Sequence, residues 1–198
     1  MLGVAACAAD PPRDGATLYA DECAHCHGPS GDGYADEVAS ALADRNLQAS
    51  ASDAFLHENI ARGRPSTKMI AWSTANGGPL DDAEIDAVIG FVRGFQPNLL
   101  PAELDESALA GSEAEGDVLY RQRCGDCHGS TGKGDLSPSI ANPLFLELAS
   151  DGYLRFAIGR GRGARVLKSW MPSYLENGFT AEQIDSLVWY VRALGAKN

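Results

Sequence analysis

Basic residues are in short supply: 16 Lys and Arg stand against 27 Asp and Glu, a net charge of −11. Phosphate backbones are bound by clustered cations, so this balance excludes nucleic acid as a partner. No apolar run approaches the roughly eighteen residues that a membrane-spanning helix requires. Aromatic side chains are also sparse, at 8% of 198 residues, in a chain long enough for one ordinary domain or two small ones. Methionine occurs three times and histidine four times. With 44% apolar and 22% charged residues the chain is nonetheless globular.

What is present is written twice. Gly15-Ala-Thr-Leu-Tyr-Ala-Asp-Glu-Cys23 matches Gly116-Asp-Val-Leu-Tyr-Arg-Gln-Arg-Cys124, and Asp53–Arg64 matches Asp151–Arg162. A duplicated unit of this size predicts two small domains of one architecture. Asp14 and Ser112-x-x-Glu115 are N-cap signals for a first helix in each unit, Ser112 and Glu115 as a capping box. Ile85, Val88, Ile89 and Val92 recur at helical spacing, as do Ile184, Leu187, Val188 and Val191. Asp81-x-x-Glu84 and Thr180-x-x-Gln183 cap those last helices. No segment alternates as a strand would. The expectation is an all-α chain with domains at 12–96 and 112–198, a linker at 97–111 in which Leu99, Leu100 and Leu104 can dock, and a leader at 1–11.

Each first helix runs into a Cys-x-x-Cys-His motif, Cys23-Ala-His-Cys26-His27 and Cys124-Gly-Asp-Cys127-His128. Three chemistries compete. A zinc site would draw four ligands from the two Cys pairs, yet each unit carries its own complete set. A redox dithiol expects a βαβ setting, which the pattern lacks. The third is covalent attachment of c-type haem, for which the motif is the direct signature. Thiols three residues apart share one face of a helical turn and can add to both vinyl groups of one porphyrin, after which the next His comes round to the iron. A flat buried cofactor in each half would also supply apolar volume that the few aromatic residues do not. A second axial ligand of the Met type raises the reduction potential. Met69 and Met171 follow their histidines by 42 and 43 residues, one per unit. His57, the other candidate, has Arg155 as its counterpart and reads as an exposed helix position.

The order Cys-x-x-Cys-His-Gly, Gly-x-Gly, Arg-Gly-Arg, Lys68-Met69 or Trp170-Met171-Pro172, then a capped amphipathic helix, resembles class I cytochrome c. Two such units resemble the dihaem class I cytochromes c over nearly all of residues 12–198. The resemblance implies two covalently attached haem c groups, on Cys23 and Cys26 and on Cys124 and Cys127. It makes His27 and His128 the proximal iron ligands and Met69 and Met171 the distal ones. In the family a proline after the haem motif often orients the proximal imidazole through its carbonyl; Pro138 matches, whereas the first unit has Glu37-Val-Ala-Ser-Ala-Leu42 there.

The implied function is one-electron transfer between respiratory or photosynthetic partners, with no catalytic residues. The donor would be a quinol-oxidising complex or a dehydrogenase, and the acceptor a terminal oxidase, reductase or reaction centre. An alternative is the electron-transfer subunit of a larger membrane oxidase or dehydrogenase complex. Another is a dihaem enzyme such as a peroxidase or a thiosulfate-oxidising enzyme. Trp72, Trp170 and Trp189 are expected to wall the haems. Arg62, Arg64, Lys68, Arg155, Arg160, Arg162, Arg165 and Lys168 are expected to pair with haem propionates, to steer docking, or to form a solvated basic face. Val4-Ala5-Ala6-Cys7 is similar to the end of a bacterial lipoprotein signal. Cys7 is accordingly expected either as a lipid anchor or as an unpaired thiol in a leader, and the protein in the periplasm or on the outer face of the cytoplasmic membrane.

Overall fold

The computed structural model describes residues 13–34, 39–134, 136–163 and 170–197. Cys7 and the whole 1–11 leader, Pro12, Glu37, Arg165 and Lys168 lie outside them. The described residues form helices and no strand, apart from two isolated bridges, Ser73 with Leu80 and Arg162 with Met171. The first unit holds α1 (Gly15–Leu18), a π-helical turn (Tyr19–Cys23), α2 (Ala24–His27), α3 (Arg45–Ser50), α4 (Asp53–Arg62) and α5 (Asp82–Arg93). The second holds α6 (Glu113–Arg123), α7 (Gly125–His128), α8 (Pro143–Leu148), α9 (Asp151–Arg160) and α10 (Ala181–Ala196).

The core of each unit is the crossing of its first and last helices. Ile85, Val88, Ile89 and Val92 on α5, and Ile184, Leu187, Val188 and Val191 on α10, are all buried. Each such side chain contributes roughly 1.5–3 kcal/mol by leaving water. The crossings are backbone to backbone. A Cβ on Gly15 would stand 2.0 Å from the Ala87 carbonyl oxygen, and one on Gly116 would stand 1.9 Å from that of Ser186. Only glycine admits this approach. Tyr19 and Tyr120 fill the space beside the crossings, on Phe91 and Phe95 in one unit and Tyr190 in the other.

The caps follow the sequence with one exception. Asp14 accepts from the Ala16 and Thr17 N–H groups, and both last helices carry reciprocal boxes, Asp81 with Glu84 and Thr180 with Gln183. At α6, Ser112 accepts from the Glu115 N–H, but the Glu115 carboxylate does not return to Ser112. Ser186 of α10 intervenes, accepting from the Ser112 N–H and donating to Glu115. Tertiary packing has opened the box.

The two units meet through α3 and α4 on one side and α8 and α9 on the other. Phe55 packs 4.7 Å from Tyr153 and 6.2 Å from Phe145, ring centre to ring centre. Around these rings the polar contacts are reciprocal. The α3 cap Asp44 accepts from the Gly163 N–H at 2.9 Å, and the α8 cap Asn142 donates to the Pro65 carbonyl at 2.8 Å. Gly163 and Pro65 are equivalent positions of the repeat. Proline has no N–H to give, so its partner must be a donor where the glycine's partner is an acceptor. Asn46 adds bonds to the Arg160 and Gly161 carbonyls, and Arg62 clasps Glu147 at 2.8 Å.

Residues 97–111 are bound mostly to the second unit. Arg155 donates to the carbonyls of Asp105, Ser107 and Ala108 and pairs with Asp185 at 2.5 Å. The Ala110 N–H reaches Asp185, and Glu106 accepts from Ser150 and Gly152 at the start of α9. Toward the first unit the Ala102 N–H bonds to the Ala49 carbonyl. Leu104 packs on the core, while Leu100 is turned to solvent. Arg155, expected at a surface-like position, is only 10% exposed, because its guanidinium closes this clasp.

Candidate metal centres

In each unit a single helical turn follows the first Cys, placing Cys23, Cys26 and His27, or Cys124, Cys127 and His128, on adjacent positions of one short segment. The turn ends at Gly28 and Gly129, both at positive φ, and the chain folds back over the histidine. The Gly33 N–H reaches the His27 carbonyl at 2.8 Å, and the Gly134 N–H reaches that of His128 at 3.0 Å. The buried Tyr19 and Tyr120 hydroxyls donate to the Gly28 and Gly129 carbonyls, pinning each loop to the helix crossing behind it.

Both imidazoles are oriented by a backbone carbonyl. His128 Nδ1 lies 3.0 Å from the Pro138 oxygen, and His27 Nδ1 lies 2.8 Å from the Ser40 oxygen. A carbonyl accepts, so the hydrogen-bond partner assigns the proton to Nδ1 and leaves the Nε2 lone pair for a metal. Burial pushes both histidines below their ordinary pKa, and the Arg64 charge adds to this at His27, so neutral imidazole is the favoured form. Ser40 fills the place for which the first unit has no proline. A main-chain carbonyl has no sequence signature, which is why the motif alone did not find it.

Cys23, Cys26, Cys124 and Cys127 are free thiols. Burial raises Cys23 and Cys124 to about 11, so both are protonated at neutral pH. Dithiol redox chemistry runs through the thiolate, which burial disfavours at Cys23 and Cys124. Among the described residues no three His, Cys, Asp or Glu side chains converge on a possible metal position. Paired cysteines beside an imidazole with a free Nε2 fit covalent haem, where each S–H adds across a vinyl group.

The methionines sit on segments held against the ends of α4 and α9. The Arg64 N–H donates to the Met69 carbonyl at 2.7 Å, and Met171 exchanges backbone bonds with Arg162 at 2.8 and 2.9 Å. Gly63 and Gly161 admit these segments. A Cβ there would lie 2.4 Å from the Ile70 carbonyl carbon and 2.3 Å from the Met171 carbonyl oxygen. Downstream, Trp72 and Ser73 bond back to Ile60 and Ala61, and Leu175 bonds back to Gly159. Both methionine side chains are half-buried.

Other expected residues fall elsewhere. Trp72 packs against the core, but Trp170 is 63% exposed and Trp189 44%, so neither is walled into it. Trp189 lies on the outer face of α10, and Trp170 at the outer edge of the methionine segment. His57 faces Glu58, Asp82 and Asp86 at 3.9–4.0 Å, away from both motifs. Arg62 and Arg155 serve the interface and the linker. Arg64 and Arg162 stand between the units, stacked 4.6 Å from Phe145 and 5.5 Å from Tyr153.

Comparison with known proteins follows the same division of the chain. A family model described as "Cytochrome c" matches residues 12–96, and one described as "Cytochrome C oxidase, cbb3-type, subunit III" matches residues 111–191. The Cbb3-type cytochrome c oxidase subunit FixP of Bradyrhizobium sp. (strain ORS 278) is 27% identical over 91% of this chain and 60% of its own length. Subunit CcoP of Rhodobacter capsulatus is 28% identical over 96% of this chain and 66% of its own. The cytochrome c subunit of the Mycobacterium tuberculosis (strain ATCC 25618 / H37Rv) cytochrome bc1 complex is 27% identical over 62% and 44% respectively. The chain thus spans less than two thirds of the curated relatives it matches. A chain of the Kuenenia stuttgartiensis reducing HAO-like protein complex shares the fold, with a TM-score of 0.53 at 18% identity over 93% of this chain and 98% of that one.

Proposed function

Because this chain belongs to the cytochrome c family, as a dihaem class I cytochrome with two tandem domains, we propose that it relays single electrons between respiratory partners as a subunit of a membrane oxidase assembly. Its two haem c groups supply irons that change oxidation state by one electron. The polypeptide's part is to hold both ligand sets, exclude water and fix the distance between the units. In this reading Cys23 and Cys26, and Cys124 and Cys127, would carry the thioethers; His27 with Met69, and His128 with Met171, would hold the two irons. Irons held by two side chains each would leave no position for a substrate, which fits a carrier.

The observation that carries the reading is the repetition of the proximal geometry. Two histidines, one in each half, are set by a carbonyl at Nδ1 and left free at Nε2. The interface adds a reason for two units in one chain, since its reciprocal bonds fix one centre relative to the other. The oxidase assignment is supported by the similarity to FixP and CcoP, whose names place them in cbb3-type oxidases. No helix among the described residues is long and apolar enough to cross a membrane. Membrane association through a lipidated Cys7, and a periplasmic or outer-face location, complete the proposal. The donor would be a quinol-oxidising complex or a dehydrogenase.

A potentiometric titration of wild type, Met69→Ala and Met171→Ala tests the ligand sets. Each substitution lowers one midpoint potential strongly and leaves the other nearly unchanged. Two unchanged potentials in either variant exclude that methionine as a ligand. A free carrier, the second reading, is separated by purification from membranes: a subunit leaves with its oxidase, a carrier leaves alone.

A further inference from the structure

We propose that Arg64 and Arg162 form one shared cationic site between the two units, which takes carboxylates of both haem groups and ties the two midpoint potentials together. The inference rests on the two-haem reading above and adds to it the residues that couple the centres.

The arginines around the interface divide into two kinds. Arg62 pairs with Glu147, Arg93 with Asp53, Arg155 with Asp185 and Arg192 with Asp151. Among the described residues Arg64 and Arg162 make no such ion pair. Arg64 gives its Nε–H to Asn59 at 3.2 Å and lays its guanidinium on Phe145. Arg162 gives an Nη2–H to Ser50 at 3.2 Å, and its Nη1 is buried with no partner at all. A guanidinium carries five N–H donors in a rigid fork, and among the described residues most of the donor capacity of both side chains is unused.

Position explains what would use it. The two arginines are equivalent in the repeat, and each is tied through its backbone to the methionine of its own unit. Yet each crosses to the other unit, Arg64 onto Phe145 and Arg162 onto Ser50. A planar fork of donors matches a carboxylate bidentately. Each haem carries two carboxylates, the anions that the two-haem reading brings to these units.

A cation held out of water favours the reduced, less positive iron and so raises the potential. In the low-dielectric interface its field extends to both centres. Each guanidinium therefore acts on its own haem and on its neighbour's.

The test is spectroelectrochemistry on the full-length holoprotein, with haem content fixed first by pyridine haemochrome. Arg64→Gln and Arg162→Gln each lower both potentials. The nearer haem shifts by about tenfold in its reduced-to-oxidised ratio, ~59 mV for one electron, and the farther haem by less. Arg64→Lys and Arg162→Lys keep the charge and keep both potentials near wild type. Arg62→Gln, which removes a paired arginine of the same interface, leaves both in place. A glutamine variant that moves one haem alone, or neither, overturns the proposal. If a glutamine variant loses haem, its lysine counterpart decides: a shift confined to one haem overturns the shared site. A single haem per chain overturns this proposal and the two-haem reading together, whereas two haems that respond independently overturn this proposal alone.

Discussion

The two units solve one structural problem with different local means. The first helix of unit one passes through a π-helical turn before Cys23, whereas α6 stays regular to Cys124. His27 is oriented by Ser40, thirteen residues on, and His128 by Pro138, ten residues on. His57 points at a ring of surface carboxylates, while its counterpart Arg155 is buried in the linker clasp. What stays constant is the glycine at the helix crossing, the tyrosine behind the haem-motif loop, and the carbonyl on Nδ1. The invariant parts define the centre. The variable parts define what each unit does for the rest of the chain.

Substitution at the variable position should separate the units most. Arg155→Ala leaves Asp185 buried without its partner and releases three linker carbonyls, a loss of about 3–5 kcal/mol. His57→Ala in the first unit, on a surface helix, changes stability by no more than about 0.5 kcal/mol. Chemical denaturation of the holoprotein measures both. Equal effects would mean that the linker is not part of the second unit's core.

The same clasp has a pH signature. Burial alone would raise the Asp185 pKa, but the Arg155 guanidinium and the Ala110 N–H outweigh it and hold the carboxyl below its usual range. A depressed folded pKa means that its stabilisation is complete above the ordinary carboxylate value of about 3.9. It is lost as pH falls through the lower, folded value. The denaturation midpoint of wild type therefore drops on acidification in that window, and the drop is smaller in Arg155→Ala.

The invariant parts should respond alike in both units. Gly15→Ala and Gly116→Ala each force a helix crossing apart, at a cost of about 1–3 kcal/mol or more. Tyr19→Phe and Tyr120→Phe remove one buried hydrogen bond each, about 1 kcal/mol. Thermal unfolding followed at the haem absorption would show these pairs as near-equal shifts. A large inequality within a pair would mean that the repeat does not build equivalent centres.

Much of the architecture was legible because it is periodic or capped. Ile85, Val88, Ile89 and Val92 and their counterparts span several turns, and Asp14, Asp81 and Thr180 announce helix starts. By contrast α3 and α8 have six residues each, too short for a 3.6-residue period to emerge from flanking loops. The opened box at Ser112 depends on Ser186, seventy-four residues away. Of the centres, the Cys and His positions were plain from the motif, but Ser40 acts through its main chain. Arg64, and Arg155 with Arg162, looked like members of the basic runs before the two methionines, and only the fold assigns Arg155 to the linker and the others to the interface. Of the three tryptophans expected beside the haems, Trp72 packs on the polypeptide core, whereas Trp170 and Trp189 are exposed in the polypeptide itself.

Intact-mass spectrometry of the purified chain, together with iron analysis, bears most directly on the central claim. The account predicts two covalently bound haems and two irons per polypeptide, with all four motif cysteines consumed. A chain with one haem, with zinc in place of iron, or with free thiols at Cys124 and Cys127 would contradict it.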